Sequence, residues 1–263
     1  MAPRDILVAI IEDDVFSRNW MSLLLVRDWR TRLVAEFMDF TEFQQQLDAQ
    51  SQVFDILIVD VDLFGERFTI DAISRALAAK NQQAKILLTG IKPKLQVVRQ
   101  INDFVCGYVL KHEVGYSLSW VISFIDNDFW VMTPGTQALL DDVNFQFSTK
   151  TLILGGRKKF PGFTDHETEV ARMAFIFSLG RRDLADELKI SEQWSYGLVS
   201  ELYKKLGLSD IIAGDADLFT FIGESEVIRN RFKEIMERIG PTRKARDMET
   251  LAYHLITMPE IIQ

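Results

Sequence analysis

Over the first 130 residues the chain alternates short apolar runs with amphipathic stretches. The runs at 6–11 (ILVAII), 33–37 (LVAEF), 55–60 (DILIVD), 85–90 (KILLTG) and 107–110 (GYVL) are aliphatic and largely bounded by polar or glycine residues, so each predicts a strand. Between them, residues 17–28, 41–49, 70–79 and 94–103 carry helix-like spacing. Five strands each followed by a helix imply a parallel, doubly wound α/β sheet covered on both faces. The central runs are continuously apolar, as burial on both faces requires. In such a sheet the functional residues belong at the carboxyl ends of the strands.

Beyond residue 138 the pattern changes. Residues 139–162 look like a linker that holds a polar, strand-like stretch NFQFSTKTLIL and is punctuated by Gly155, Gly156, Pro161 and Gly162. Thr164 with Glu167 three residues on forms a capping box that starts a helix. LGRRDLADELKIS then predicts a short second helix, and a third runs from its N-cap Ser191 to a stop at Gly207. Three short helices with a tight turn before the last are the pattern of a helix-turn-helix, here 163–208 in an all-α domain. In the extension 209–263, Ile228, Phe232, Ile235 and Ile239 line one stripe, and Met248, Leu251, Ala252, Leu255 and Ile256 a second, which predicts a helical hairpin broken at Gly240-Pro241-Thr242.

Composition narrows the class without naming a function. Hydrophobic residues at 48% and charged residues at 26% fit a folded protein. No run of about 18 apolar residues is available to span a membrane. A single cysteine, Cys106, makes neither an internal disulfide nor a metal site alone, so a reducing cytoplasm is the expected home. The net charge of -8 argues against a protein that is basic all over. Only residues 157–208 escape the acidic bias. No catalytic triad or nucleotide loop is present, and no enzyme acting on an external substrate is expected.

The strand ends hold the candidate chemistry. Glu12, Asp13 and Asp14 follow the first strand, Asp60 ends the third with Asp62 two residues on, Thr89 stands at the fourth, and Lys111 follows the fifth. Crowded carboxylates repel and need a divalent cation, and hard oxygen ligands suit Mg²⁺. A carboxylate beside Mg²⁺ can accept a phosphoryl group, whose oxygens a lysine and a hydroxyl would hold. A lone aspartate at a strand end is usually a solvated turn residue, but this set converges on one sheet edge.

Over residues 5–138 this constellation resembles the receiver domain of two-component response regulators. The resemblance implies that Asp60 is the phosphoacceptor, that Glu12 and Asp13 hold Mg²⁺ with the backbone carbonyl of Asp62, that Thr89 and Tyr108 form a switch pair, and that Lys111 contacts the phosphoryl group. It also implies a sensor histidine kinase as partner and a homodimer. Where the family usually has proline shortly after the acceptor, this chain has Leu63-Phe64-Gly65. GYVLKH and VMTPGTQALL are similar to the end of receivers in the NarL/FixJ subfamily.

Residues 163–208 resemble the LuxR/NarL-type DNA-binding domain through Thr164, Glu167, Glu169 and Val170, then Ala185, Leu188, Ile190, Ser191 and Glu192, and finally Tyr203, Lys205, Leu206 and Gly207. One extra residue lies near Phe177 to Gly180. The recognition helix departs from the family, reading Gln193, Trp194, Ser195, Tyr196, Gly197 where lysines are usual. Gln193, Ser195 and Tyr196 are then the candidates for base reading, with Arg181, Arg182, Lys204, Lys205 and the Arg157-Lys158-Lys159 cluster for phosphates. Two functions follow: a phosphorylation-controlled transcription regulator that binds DNA, or a receiver-driven regulator whose helix-turn-helix binds a protein through Trp194 and Tyr196.

Overall fold

The computed structural model describes residues 4–49, 53–65, 68–80, 83–157, 160, 162–213, 225–239 and 245–262. They form two compact units: Met1–Arg157 with Pro259–Gln263, and Lys158–Met258.

In the first unit, strands β1 (Ile6–Ile11), β2 (Thr31–Phe37), β3 (Ile56–Asp60), β4 (Lys85–Gly90) and β5 (Val105–Leu110) are parallel in the order β2-β1-β3-β4-β5. Helices α1 (Val15–Arg27), α2 (Phe40–Ala49), α3 (Ile70–Ala79) and α4 (Leu95–Val98) connect them. Every residue of β3 is buried, which is why its sequence is apolar throughout until Asp60. The doubly wound parallel fold is therefore as expected, and the strand order reverses between β1 and β3, where such sheets place their sites.

Two parts of the unit differ from the sequence expectation. The predicted helix at 94–103 is a single turn, Leu95–Val98; after it the Gln100 and Ile101 amides reach back only three residues, to the Val97 and Val98 carbonyls, and the Asn102 side chain then accepts from the Phe104 amide at 3.1 Å and donates to Ser74 Oγ at 3.0 Å. The sheet also continues past five strands. After the one-turn α5 (Lys111–Val114) and α6 (Leu118–Asp126) come β6 (Trp130–Met132), α7 (Pro134–Asp142) and β7 (Thr151–Arg157), with β6 parallel to β5 and β7 parallel to β6. Part of the expected linker is thus a sheet strand. The last strand, β8 (Pro259–Ile262), pairs antiparallel with β7, so the extension is not wholly helical. The runs in β6 and β8, of three and four residues, are too short to show a period, and the place of β7 in the sheet is set by long-range pairing. Gly155 permits that pairing: a Cβ there would lie 2.6 Å from Ile262 Cδ1.

The second unit contains α8 (Asp165–Ala171), α9 (Arg181–Leu188), α10 (Glu192–Lys205), α11 (Leu208–Ala213), α12 (Glu226–Ile239) and α13 (Ala245–Thr257). Thr164 and Glu167 make the predicted capping box, and Ser191 caps α10 through the Trp194 amide at 3.2 Å. Gly207 takes the left-handed conformation that ends the helix, at φ +65°. After α8 the chain widens into a π turn over Arg172–Ile176, and Ser178 has φ +54°. That bulge absorbs the extra residue without disturbing the helices that follow. Ile228, Phe232, Ile235 and Ile239 are buried, as are Leu251, Ala252, Leu255 and Ile256, and α13 packs on the π turn and on α11. The expected break at Gly240-Pro241-Thr242 lies outside the described residues.

Candidate functional site

Strand register builds the site. Ile11 pairs with Val59, Asp60 with Thr89, and Gly90 with Leu110, so Glu12, Asp60, Thr89 and Lys111 stand side by side where four parallel strands end. Glu12, Asp60 and Thr89 are buried, while Asp13 is exposed at the mouth. Carboxylate oxygens of Glu12, Asp13 and Asp60 all lie within 4.8 Å of one another. Lys111 Nζ sits between two of these groups, 2.7 Å from Glu12 Oε2 and 3.1 Å from Asp60 Oδ2. The other Asp60 oxygen accepts from the Asp62 amide at 2.9 Å. Thr89 Oγ1 donates to the Val59 carbonyl at 3.4 Å, a long bond that leaves the hydroxyl easy to redirect.

One ammonium among three carboxylates leaves the pocket negative. Burial pushes the Glu12 carboxyl up to about 7; contact with Lys111 opposes this and the neighbouring Asp60 charge adds to it. Burial works against the charged form of Lys111, but Glu12 and Asp60 outweigh it and hold its pKa above the usual value. The residues therefore fit a small hard dication on the chemistry of the donor set, with Glu12, Asp13 and Asp60 as oxygen ligands.

The remaining positions singled out in the sequence have other partners. Asp14 caps α1, accepting from the Ser17 amide at 2.7 Å. The Asp62 carboxylate turns to Lys94 Nζ at 2.7 Å and the Ile91 amide at 3.1 Å, leaving only its backbone as a candidate ligand. Tyr108 is fully buried and its hydroxyl accepts from the Lys94 amide at 3.1 Å; burial pushes its pKa up to about 12. Without the usual proline, the loop after Asp60 makes a 3₁₀ turn over Val61–Leu63, and Phe64 meets Phe68 edge to face at 5.0 Å. The sequence pattern missed Lys94. Nothing in IKPK distinguishes it from a solvated loop lysine, because its partner is more than thirty residues away.

On the helix-turn-helix the candidates divide. Gln193, Tyr196 and Arg182 are exposed, and the Arg181 guanidinium lies 5.9 Å from the centre of the Tyr196 ring. Lys204 is exposed, 3.8 Å from Glu201. Lys205 is held by Glu167 at 2.6 Å. Ser195 must be corrected: it is buried, and its hydroxyl donates to the Arg181 and Glu192 carbonyls at 2.8 and 2.7 Å. It joins α9 to α10 and cannot reach a base, since the side chain at this point of the helix faces the unit's core. Lys158, Lys159 and Pro161 lie outside the described residues, as does the Arg157 side chain.

No protein-family model matches the chain, and no curated protein does. Among solved structures it is similar to a chain from the structure of two RcsB dimers bound to two parallel DNAs, at 15% identity over 89% of this chain and 100% of that one, with a TM-score of 0.47. RcsB from Salmonella enterica serovar Typhimurium bound to promoter P1flhDC in the presence of the phosphomimetic BeF3- gives the same values, 15%, 89%, 100% and 0.47. The isolated REC domain of RcsB from that organism, also with BeF3-, is 17% identical over 52% of this chain and 99% of its own, with a TM-score of 0.44. Among the described residues no helix is long and apolar enough to cross a membrane.

Proposed function

We propose that this chain is a phosphorylation-controlled response regulator in which Asp60 accepts a phosphoryl group and the helix-turn-helix carries the output to DNA. The observation that supports it best is Lys111, half-buried with its ammonium between the buried carboxylates of Glu12 and Asp60 and with Asp13 beside them. In this reading the receiver, residues 1–138, also takes β7 from the 139–162 connector and β8 from the end of the 209–263 extension into its sheet, and 163–208 binds DNA.

A carboxylate oxygen of Asp60 supplies the electron pair to phosphorus as the donor's leaving group departs. Glu12, Asp13 and Asp60, with the Asp62 carbonyl, would hold Mg²⁺, which when bound would supply neutralisation of the charge on the phosphoryl oxygens. Lys111 already touches Asp60 and is placed to hold one phosphoryl oxygen, and the Thr89 hydroxyl turns from Val59 to another. Movement of Thr89 and the loop after β4 loosens the support under the Tyr108 hydroxyl and shifts the population of this face, which alters homodimerisation. A sensor histidine kinase or a small phosphodonor supplies the group.

Incubation with acetyl phosphate and Mg²⁺ tests the receiver: wild type gains one base-labile phosphoryl group and Asp60→Asn gains none. Capture of genomic DNA fragments, with and without beryllofluoride, tests the output. Enrichment of a shared inverted repeat supports DNA binding. Trp194 and Tyr196, 65% and 55% exposed where cations are usual, favour a protein partner as the second reading, and failure to enrich any DNA in either state would select it.

A further inference from the structure

The loops after β3 and β4 are tied together by one side chain that the phosphoryl chemistry does not use. Lys94 Nζ lies 2.7 Å from Asp62 Oδ1 and donates to the Val61 carbonyl at 3.1 Å. The second Asp62 oxygen accepts from the Ile91 amide at 3.1 Å, so the loop after β4 holds both oxygens of this carboxylate. Burial pushes the Asp62 carboxyl up, but these bonds outweigh it and hold it below the usual range. Lys94 reaches the other way through its backbone, donating from its amide to the Tyr108 hydroxyl, which itself donates to the Lys92 carbonyl at 3.3 Å. Because the Asp62 amide donates to Asp60, one chain of polar contacts runs from the acceptor carboxylate through Asp62 and Lys94 to Tyr108. The loops also touch at their base, where a Cβ on Gly90 would lie 2.7 Å from Val61 Cγ2.

We propose that Lys94 is a positioning residue of the acceptor site, its ammonium holding the loop after Asp60 against the loop after Thr89 and so keeping the pocket in its resting arrangement. The inference rests on the phosphoacceptor reading. A phosphoryl group on Asp60 competes for the Asp62 amide and draws Thr89 inward, and both movements work against the grip of Lys94. Weakening that grip favours the arrangement that binds a phosphoryl group, because the resting state is what such a ligand must displace.

The test uses the full-length protein and two measurements. Without Mg²⁺ or beryllofluoride, Lys94→Met and Asp62→Asn should each speed amide hydrogen exchange at Ile91 and Lys94 about tenfold, with the double variant no faster than either single one. With Mg²⁺ present, each should bind beryllofluoride about tenfold more tightly, an effect that general damage to the loop would reverse. Unchanged exchange, additive effects or weaker beryllofluoride binding would overturn the role of Lys94. A wild-type protein that binds no beryllofluoride, with exchange still responding, would instead remove the phosphoacceptor reading and the positioning role that depends on it.

Discussion

The carboxylate pocket around Asp60 and helix α10 are built by the same kind of local rule, yet they end differently. At the pocket, four strand ends deliver side chains whose charges need one another: Lys111 bridges Glu12 and Asp60, and few alternatives satisfy two buried carboxylates. On α10 the scaffold is complete, from the Ser191 cap through buried Val199 and Leu202 to Gly207, while the outward positions carry Trp194, Tyr196 and Gly197. Packing constrains the inner face of a helix closely and the outer face hardly at all. The pocket therefore states its chemistry more sharply than the helix states its partner.

Four variants would break or sharpen this contrast. The largest effect is expected from Asp60→Asn, which should abolish phosphoryl transfer; labelling at the wild-type rate would remove the pocket from the role. Lys111→Met should cost about 3 kcal/mol at pH 8, since it leaves two buried carboxylates without their cation, and less at pH 6, where Glu12 takes up a proton. Urea midpoints at the two pH values check this, and equal losses would contradict the coupling.

Ser195→Ala removes a buried hydroxyl that bridges two helices, and should cost about 1 kcal/mol of stability in the second unit without changing the DNA sequence selected. A changed binding motif would restore Ser195 as a reading residue. The smallest change has the opposite sign. A Cβ on Gly197 meets nothing within 4 Å, so Gly197→Ala should stabilise α10 by up to about 1 kcal/mol, seen as a rise in Tm. A loss would mean that this bare position contacts something in the folded chain.

The pocket also predicts how stability depends on pH in the cation-free protein. Glu12 keeps its proton up to about pH 7 in the folded state, against about 4.5 when unfolded. The folded chain binds more protons between those values, so this contribution is complete below about 4.5 and is lost as pH rises through 7. Urea midpoints of wild type compared with Glu12→Gln between pH 4.5 and 8 isolate the effect, and a gap that widens in favour of wild type as pH rises would refute it.

The pocket was largely legible because each of its residues lies within a residue or two of a strand end, and strands announce themselves as apolar runs. Lys94 was not, since its partners are set by how two loops meet. Ser195 was misread for the converse reason: a serine after a helix cap looks available until its azimuth on the packed helix is known. The caps at Thr164 and Ser191 were recoverable because capping is decided within four residues.

By itself the sequence determined the parallel order of strand and helix, the carboxylate and lysine positions, and the starts of the helix-turn-helix elements, all set by local periodicity and capping. Only the tertiary structure decided that the sheet runs on to β8, that Lys111 stands between Glu12 and Asp60, and that Lys94 ties two loops together. These depend on strand register and on contacts between residues far apart in the chain, and the pairing energy that selects them exists only once the sheet has formed.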